Sequence, residues 1–411
     1  MSFFNSRWVE APASTRVLPD GGLPLGFRAA GVACGVKPGG ALDLGLLVSD
    51  PPATTSAARF TRSGTLSAPV LLTKQRTQLG ALRAVVVNSG NANAATGNRG
   101  LEDAAKMQGS AAIACGVAES AVAVASTGVI GVPLPMDAIT RGTLAAAHEL
   151  REDGEREFAA AIQTTDAFEK RASLEVALQA GTVRLSVQGK GAGMISPRFA
   201  TLLVFVQTDA QLSAEECDLL LGVTVSRSFE RISVDGQLST SDTVLLMASG
   251  ASDVAVQPET PDERTFGEAL DAMLRQLALM VTRDGEGARR TARVLVRGDE
   301  PIVGPVARAV ADSSLVKTAL YGGDANWGRI IQAVGAALPG SAPLAVDIAI
   351  EGIQVCANGS YLAHDAAALK AAVQRDEVQY EIDLPGDGGV AELFFSDLGH
   401  EYVTINADYT T

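Results

Sequence analysis

The chain has 411 residues, 47% hydrophobic and 19% charged, with 42 glycines spread along it without a period. That is the composition of a turn-rich globular protein of two or three domains at ~150 residues each, and it excludes a disordered or collagen-like chain. The 47 acidic against 33 basic residues give a net charge of −14 with no Lys or Arg run, which argues against nucleic acid or an anionic membrane as partner.

The N-terminus, Met1-Ser2-Phe3-Phe4-Asn5-Ser6-Arg7-Trp8, lacks the basic head, apolar core and small-residue site of a signal peptide, so a cytoplasmic protein is expected. Residues 20 to 80 alternate short apolar runs with Gly, Pro and Ser and read as strands joined by turns. Arg83 to Val87 is a firmer strand, followed by the polar loop Asn88 to Asn93 and a helix over Glu102 to Cys115. A second strand-loop-helix unit follows, with a strand over Ala121 to Ala125, the tight loop Ser126 to Gly131, and helices within 136 to 164.

Val183 to Val187, the loop Gly189-Lys190-Gly191-Ala192-Gly193-Met194 and Thr201 to Gln207 form a strand, glycine loop, strand element. Ser213 with Glu216 predicts a capping box at the start of a helix over 213 to 221. Leu270, Met273, Leu274, Leu277 and Met280 recur at three and four, predicting a helix over 265 to 280. Leu344 to Ile350 and Ala391 to Phe395 read as strands, with a helix over Ala366 to Val373 between them. The longest apolar run, Leu202 to Val206, is far shorter than the ~20 residues that span a bilayer. The pattern predicts a mixed α/β (α+β) protein.

Cys34, Cys115, Cys217 and Cys356 are far apart and show no CxxC spacing, so they are expected to be buried thiols, not zinc ligands or a disulfide framework. His148, His364 and His400 contain no ligand-spaced pair, and no metal site is expected. The most informative stretch is Gly189 to Leu202, a Gly-rich loop with one Lys leading into Thr201 at the head of an apolar strand. It reads as a hairpin with a solvated lysine, or as the approach to a threonine nucleophile. The order is reversed from a GxxxxGK[ST] phosphate loop, which is thereby excluded. A threonine hydroxyl needs an adjacent base, and cutting the chain before it exposes an α-amine that titrates near ~7.7 to 8.0 and can take the proton without a histidine.

Gly189 to Leu202 resembles the self-cleavage segment of the ornithine acetyltransferases, the glutamate N-acetyltransferases of the ArgJ type, with the form KGxGMIxPNMATML. Family-like blocks continue in family order at Gly26 to Val32, Asn88 to Ala94, Ser126 to Gly131, Asp284 to Ala288, Leu315 to Ala319, Asp324 to Arg329 and Asn406 to Thr411. The resemblance implies a layered αββα sandwich of the ornithine acetyltransferase and DmpA-like type, its antiparallel sheets lying between helices. It also implies scission between Ala200 and Thr201 into fragments 1–200 and 201–411, assembled as two copies of each. In that reading Thr201 is the nucleophile, Thr127 and Gly128 form the oxyanion hole, and Thr164, Lys190, Thr201, Glu286, Asn406 and Thr411 contact substrate. Thr165 is an alternative to Thr164. The implied reaction moves acetyl from N2-acetylornithine to glutamate through an acetyl-Thr201 ester, with no cofactor.

Some positions depart from the family pattern. Arg198-Phe199 stands where Asn-Met is usual, Glu230, Gln237 and Ser241 where Asn, Asp and Asn are expected, and Arg289-Arg290 where Thr-Lys is usual. These departures leave open a paralogue acting on a related N-acyl amino acid in specialised metabolism. An aminopeptidase or amidohydrolase on the same scaffold, and an uncut binding protein, also stay open.

Overall fold

The computed structural model describes residues 3–196 and 202–408. Two sheets and the helices on their outer faces build the first part. One sheet has six strands in the order Thr15–Val17, Lys170–Ala177, Thr182–Lys190, Leu203–Thr208, Thr243–Ala248 and Thr55–Phe60. The other has four, Phe27–Val32, Leu44–Ser49, Ala84–Asn91 and Val122–Val129.

Strand alternation decides what fills each layer, because successive side chains point to opposite faces. In the four-stranded sheet Val86 and Val124 face the helices Ala68–Arg76, Gly97–Cys115 and Met136–His148, which supply Leu72, Met107 and Ile139. Their neighbours Val85, Val87, Ala123 and Ala125 face inward, where they meet Leu203, Phe205, Leu245 and Met247 of the six-stranded sheet. The other face of that sheet, with Leu185, Val204 and Leu246, packs on the helices Ala214–Arg227 and Pro261–Arg283. The result is the layered αββα arrangement.

A third sheet of seven strands orders Ile232–Ser233, Gly388–Ser396, Thr291–Asp299, Glu377–Asp383, Asp347–Ile350, Ile353–Ala357 and Ser360–Tyr361. It packs with the helices Glu300–Ala311, Ser314–Tyr321, Trp327–Ala337 and Ala366–Ala372 around a second core. Phe395 belongs to that core while Phe394 belongs to the core of the Pro261–Arg283 helix, so one strand joins both parts.

The sheets are mixed, which corrects the expectation of antiparallel ones. Ala84–Asn91 pairs parallel with Val122–Val129, and Leu203–Thr208 pairs parallel with Thr243–Ala248. Each parallel pair is joined through a helix, as parallel neighbours must be connected by a crossover. The predicted helical stretch 136 to 164 is two helices, Met136–His148 and Glu155–Ile162. Between them a Cβ on Gly154 would come 1.9 Å from the Ala29 carbonyl oxygen, so only glycine permits this approach of loop to strand. The boundary at 200/201 falls between two adjacent strands of one sheet, with Gly189 paired to Val204, so both segments share one core. All four cysteines are free, but only Cys217 and Cys356 are buried; Cys34 and Cys115 are half-buried, where burial had been expected for all. Among the described residues no helix is long and apolar enough to cross a membrane.

Candidate active site

Thr127, Gly128, Thr164, Lys190, Glu286 and Asn406 line one cavity of about 230 Å³. That is smaller than the ~300 Å³ at which sites for drug-sized ligands begin, and it suits an amino acid. Ala200, Thr201 and Thr411 lie outside the described residues, as do the departures Arg198 and Phe199. A larger cavity of about 820 Å³ is lined by Phe3, Val17, Leu279, Met280 and the departure Arg289, and holds none of the catalytic or substrate-contact residues expected from sequence. Convergent polar groups, not size, distinguish the smaller one.

Thr127 and Gly128 come from the end of Val122–Val129, where the backbone closes on its parallel neighbour. Gly128 has φ of 129° and a Cβ there would sit 2.4 Å from the Gly90 carbonyl carbon, so no side chain fits. Lys190 ends Thr182–Lys190, is fully buried, and donates from Nζ to Thr127 Oγ1 at 3.2 Å. With its oxygen accepting from an ammonium, the Thr127 hydroxyl can direct its own proton at an alkoxide in the cavity, the geometry an oxyanion donor needs.

Glu286 follows the Pro261–Arg283 helix, and its N–H donates to the Ala192 carbonyl at 3.0 Å, tying its loop to the glycine loop. A Cβ on Gly193 would lie 2.7 Å from Glu286 Oε1, so the carboxylate rests directly on that glycine. Thr165 Oγ1 donates to Oε1 at 2.8 Å, and Asn406 Nδ2, from the terminal helix His400–Asp408, donates to Oε2 at 2.6 Å. Both members of the Thr164/Thr165 pair line the cavity, and Thr165 is the one that bonds Glu286.

Behind this wall lies a fully buried ion cluster absent from the sequence reading. Lys170 Nζ donates to Asp166 Oδ1 at 2.6 Å and to Asp284 Oδ2 at 2.5 Å. Asp166 also accepts the N–H groups of Thr164 at 3.0 Å and Gly191 at 2.8 Å, which pins both loops that carry the cavity. Burial pushes the Asp166 carboxyl up, but Lys170 and Lys190 outweigh it and hold the group below the usual range. Burial likewise pulls the Lys190 ammonium down, against the opposing pull of Asp166.

Asp235, Tyr402, Ser239 and Thr240 also line the cavity without having been picked out. Asp235 accepts from Met194 N–H at 2.7 Å and Ile195 N–H at 3.0 Å, fixing the end of the glycine loop, and Tyr402 reaches it at 3.4 Å. The one sequence signal for it was its place in the Val234-Asp235-Gly236 turn. Of the departures, Gln237 and Ser241 line the cavity. Glu230 pairs instead with Arg62, and the Arg289 and Arg290 N–H groups donate to Asp397 at 2.9 and 3.1 Å. Among the described residues no group of three or more His, Cys, Asp or Glu is arranged to hold a metal. A buried cation, a hydroxyl it polarises and a carboxylate with two fixed donors form a chemistry suited to one zwitterionic ligand and acyl transfer.

Comparison with known proteins shows the family. The model described as the ArgJ family matches residues 28–411. The arginine biosynthesis bifunctional protein ArgJ of Symbiobacterium thermophilum is 42% identical over 393 residues, covering 94% of this chain and 98% of that protein. The protein of the same name from Nitratidesulfovibrio vulgaris is 43% identical over 392 residues, with 94% and 98% covered. Among solved structures, the ornithine acetyltransferase of Mycobacterium tuberculosis, complexed with ornithine, is 39% identical and covers 46% of this chain and 100% of its own, at a TM-score of 0.42.

Proposed function

The chain belongs to the ArgJ family, and from that premise we propose that it is an ornithine acetyltransferase serving arginine biosynthesis. It moves acetyl from N2-acetylornithine to L-glutamate through an ester on Thr201. The chain first cuts itself before that residue. The Thr201 hydroxyl attacks the Ala200 carbonyl, the C–N bond breaks with its nitrogen taking the proton, and water hydrolyses the resulting ester to free a carboxyl at Ala200 and an α-amine at Thr201.

In the first half-reaction the α-amine takes the hydroxyl proton as Oγ bonds the acetyl carbon. The amide C–N bond then breaks, the proton passes to the leaving nitrogen, and ornithine departs. In the second, the α-amine of glutamate attacks the ester, the Oγ–C bond breaks and the proton returns to Oγ. Thr127 and the Gly128 N–H stabilise the oxyanion in both, a contribution of roughly 3 to 4 kcal/mol for one good donor. Lys190 takes the α-carboxylate shared by both substrates, and Glu286, held by Thr165 and Asn406, takes the ammonium of the ornithine side chain. Thr164 and Thr411 fix orientation. The two fragments assemble as two copies of each in the cytoplasm.

The observation that carries this reading is the meeting of Thr127, Lys190, Glu286 and Asn406, from four distant parts of the chain, around one amino-acid-sized cavity. Mass spectrometry of the protein before and after mixing with N2-acetylornithine tests it. A 201–411 fragment that gains one acetyl group on Thr201 and loses it to glutamate is expected. An intact chain overturns the scission. A cut chain that takes no acetyl from acetylornithine overturns the substrate, and Gln237 and Ser241 on the cavity wall then favour a related N-acyl amino acid as donor.

A further inference from the structure

Two ligands of opposite side-chain charge share one cavity in the proposed reaction. Ornithine ends in an ammonium and glutamate in a second carboxylate. Lys190 and Glu286 account for the common α-carboxylate and for the ammonium, but Glu286 repels a second carboxylate. A carboxylate that leaves water for a cavity needs hydrogen-bond donors in its place, so another part of the wall has to supply them.

Most side-chain donors along the wall are already held. The Thr165 hydroxyl serves Glu286, and Asn406 Nδ2 gives its two N–H groups to Glu286 and to the Tyr402 carbonyl. The Tyr402 hydroxyl reaches Asp235 at 3.4 Å, and the Ser239 hydroxyl serves the buried carboxyl of Asp242. Thr164 keeps its hydroxyl, but it adjoins Thr165 and so lies on the side of the repelling Glu286. The donors that remain sit on one short stretch between the strands Ile232–Ser233 and Thr243–Ala248. Gln237 lines the cavity as an exposed side chain, and its carboxamide has no partner among the described residues. Thr240 Oγ1 and Ser241 Oγ lie 3.0 Å apart, so one hydroxyl donates to the other and the second keeps its proton for a ligand. The backbone beneath them is fixed. The Gln237 N–H donates to Asp235 at 3.0 Å and the Ser241 N–H to Ser239 Oγ at 3.1 Å, while the Thr240 carbonyl accepts the Ser67 N–H at 2.9 Å. Donors on a fixed backbone bind with less ordering cost.

We propose that Gln237 and the Thr240–Ser241 hydroxyl pair determine the acceptor by donating to the side-chain carboxylate of glutamate, while Glu286 keeps the ammonium of ornithine. The assignment rests on the reading that acetyl passes from N2-acetylornithine to glutamate in this cavity. Neutral donors suit the double use. A lysine or arginine in their place would hold glutamate but repel the ornithine ammonium, whereas an amide and a hydroxyl take an anion without charging the wall against a cation. Gln237 also stands where the family pattern leads one to expect Asp. A carboxylate there would add to the repulsion from Glu286, so the tilt toward an anionic acceptor is a property of this chain.

Transfer through an acyl-enzyme separates the two substrates, because kcat/KM for N2-acetylornithine reports the first half-reaction and kcat/KM for glutamate the second. Gln237→Glu keeps the shape of an exposed side chain and exchanges a donor for a negative charge. It is expected to lower kcat/KM for glutamate about ten- to a hundredfold, chiefly through KM, and to leave the value for N2-acetylornithine within about twofold or raise it. Ser241→Ala is expected to lower the glutamate value about fivefold with the same split. Glutamine as acceptor lacks the second charge, so the glutamate-to-glutamine ratio of the wild-type protein, expected to be about tenfold or more, should fall toward one in Gln237→Glu. Equal losses on both substrates, or an unmoved ratio, overturn the assignment and leave Gln237 and Ser241 structural. Should a variant not fold, the wild-type ratio decides, and equal use of glutamate and glutamine overturns the assignment. A wild-type protein that takes no acetyl from N2-acetylornithine overturns the proposed function and this assignment together, whereas one that transfers to both acceptors alike removes only the latter.

Discussion

Asn406 Nδ2 lies 2.6 Å from Glu286 Oε2, joining the terminal helix to a loop 120 residues earlier. Thr165 holds the other oxygen. A carboxylate has about four lone-pair sites, so two fixed donors orient the group and still leave it able to accept from a ligand ammonium. The two donors differ in origin, one from the loop before Lys170–Ala177 and one from the end of the chain, and the carboxylate reads both.

Glu286→Gln removes the charge and keeps the size. It is expected to weaken the half-reaction of N2-acetylornithine by ten- to a hundredfold, or about 1.4 to 2.7 kcal/mol, and to leave the glutamate half-reaction nearly unchanged or improved, since a like charge is gone. Separate exchange assays for each substrate measure the two. Equal losses on both sides would mean that Glu286 only braces Asn406 and Thr165.

Lys190→Met should instead impair both half-reactions, because both ligands share the α-carboxylate. Truncating a buried charged contact costs ~2 to 5 kcal/mol. The loss is expected in kcat as well as KM, since Lys190 also polarises the Thr127 hydroxyl. Steady-state kinetics that show a change in KM alone would separate Lys190 from the oxyanion role proposed for Thr127.

Local chemistry is what the sequence makes readable. The glycine loop, the capping box of Ser213 with Glu216, and the apolar spacing of Leu270 to Met280 are short-range signals. The structure has each, the last inside a longer helix, Pro261–Arg283. Its N-cap, Thr260, precedes a polar first turn that no apolar period marks. The ion cluster of Asp166, Lys170 and Asp284 was not readable, because hydropathy assigns such residues to the surface and only tertiary pairing makes their burial tolerable. The same holds for Asp242 and Tyr402, whose neighbours come from strand order and the docking of the last helix. The third sheet runs Ile232–Ser233, Gly388–Ser396, Thr291–Asp299, an order no local pattern encodes.

Gly128→Ala tests the backbone under the proposed oxyanion hole. The substitution meets both a left-handed φ of 129° and a 2.4 Å approach to the Gly90 carbonyl carbon, and the neighbour is strand backbone that cannot swing aside. Strain at such a position costs of order 1 to 3 kcal/mol before the clash is counted. A lowered thermal midpoint is expected together with loss of acyl transfer. A variant with wild-type melting and activity would show that the strands separate here without cost.

Asp166 gives stability a distinct pH dependence. Burial opposes its ionisation, but Lys170 and Lys190 hold its carboxyl below the usual range. Its folded pKa is thus below the unfolded value of about 3.9, so its contribution is fully present above that value and is lost as pH falls through the folded pKa. Asp166→Asn removes one partner of a buried pair and should cost about 3 to 5 kcal/mol at pH 7. Urea unfolding in a Thr201→Ala background, which keeps one covalent chain, compares the two at pH 7, 5 and 3. The deficit of the variant is expected to be the same at pH 7 and 5 and smaller at pH 3, where the unfolded wild-type chain takes up a proton at this carboxyl that the folded chain does not. A deficit that stays constant down to pH 3 would mean that Asp166 holds the Thr164 and Gly191 loops through hydrogen bonds alone and not through its charge.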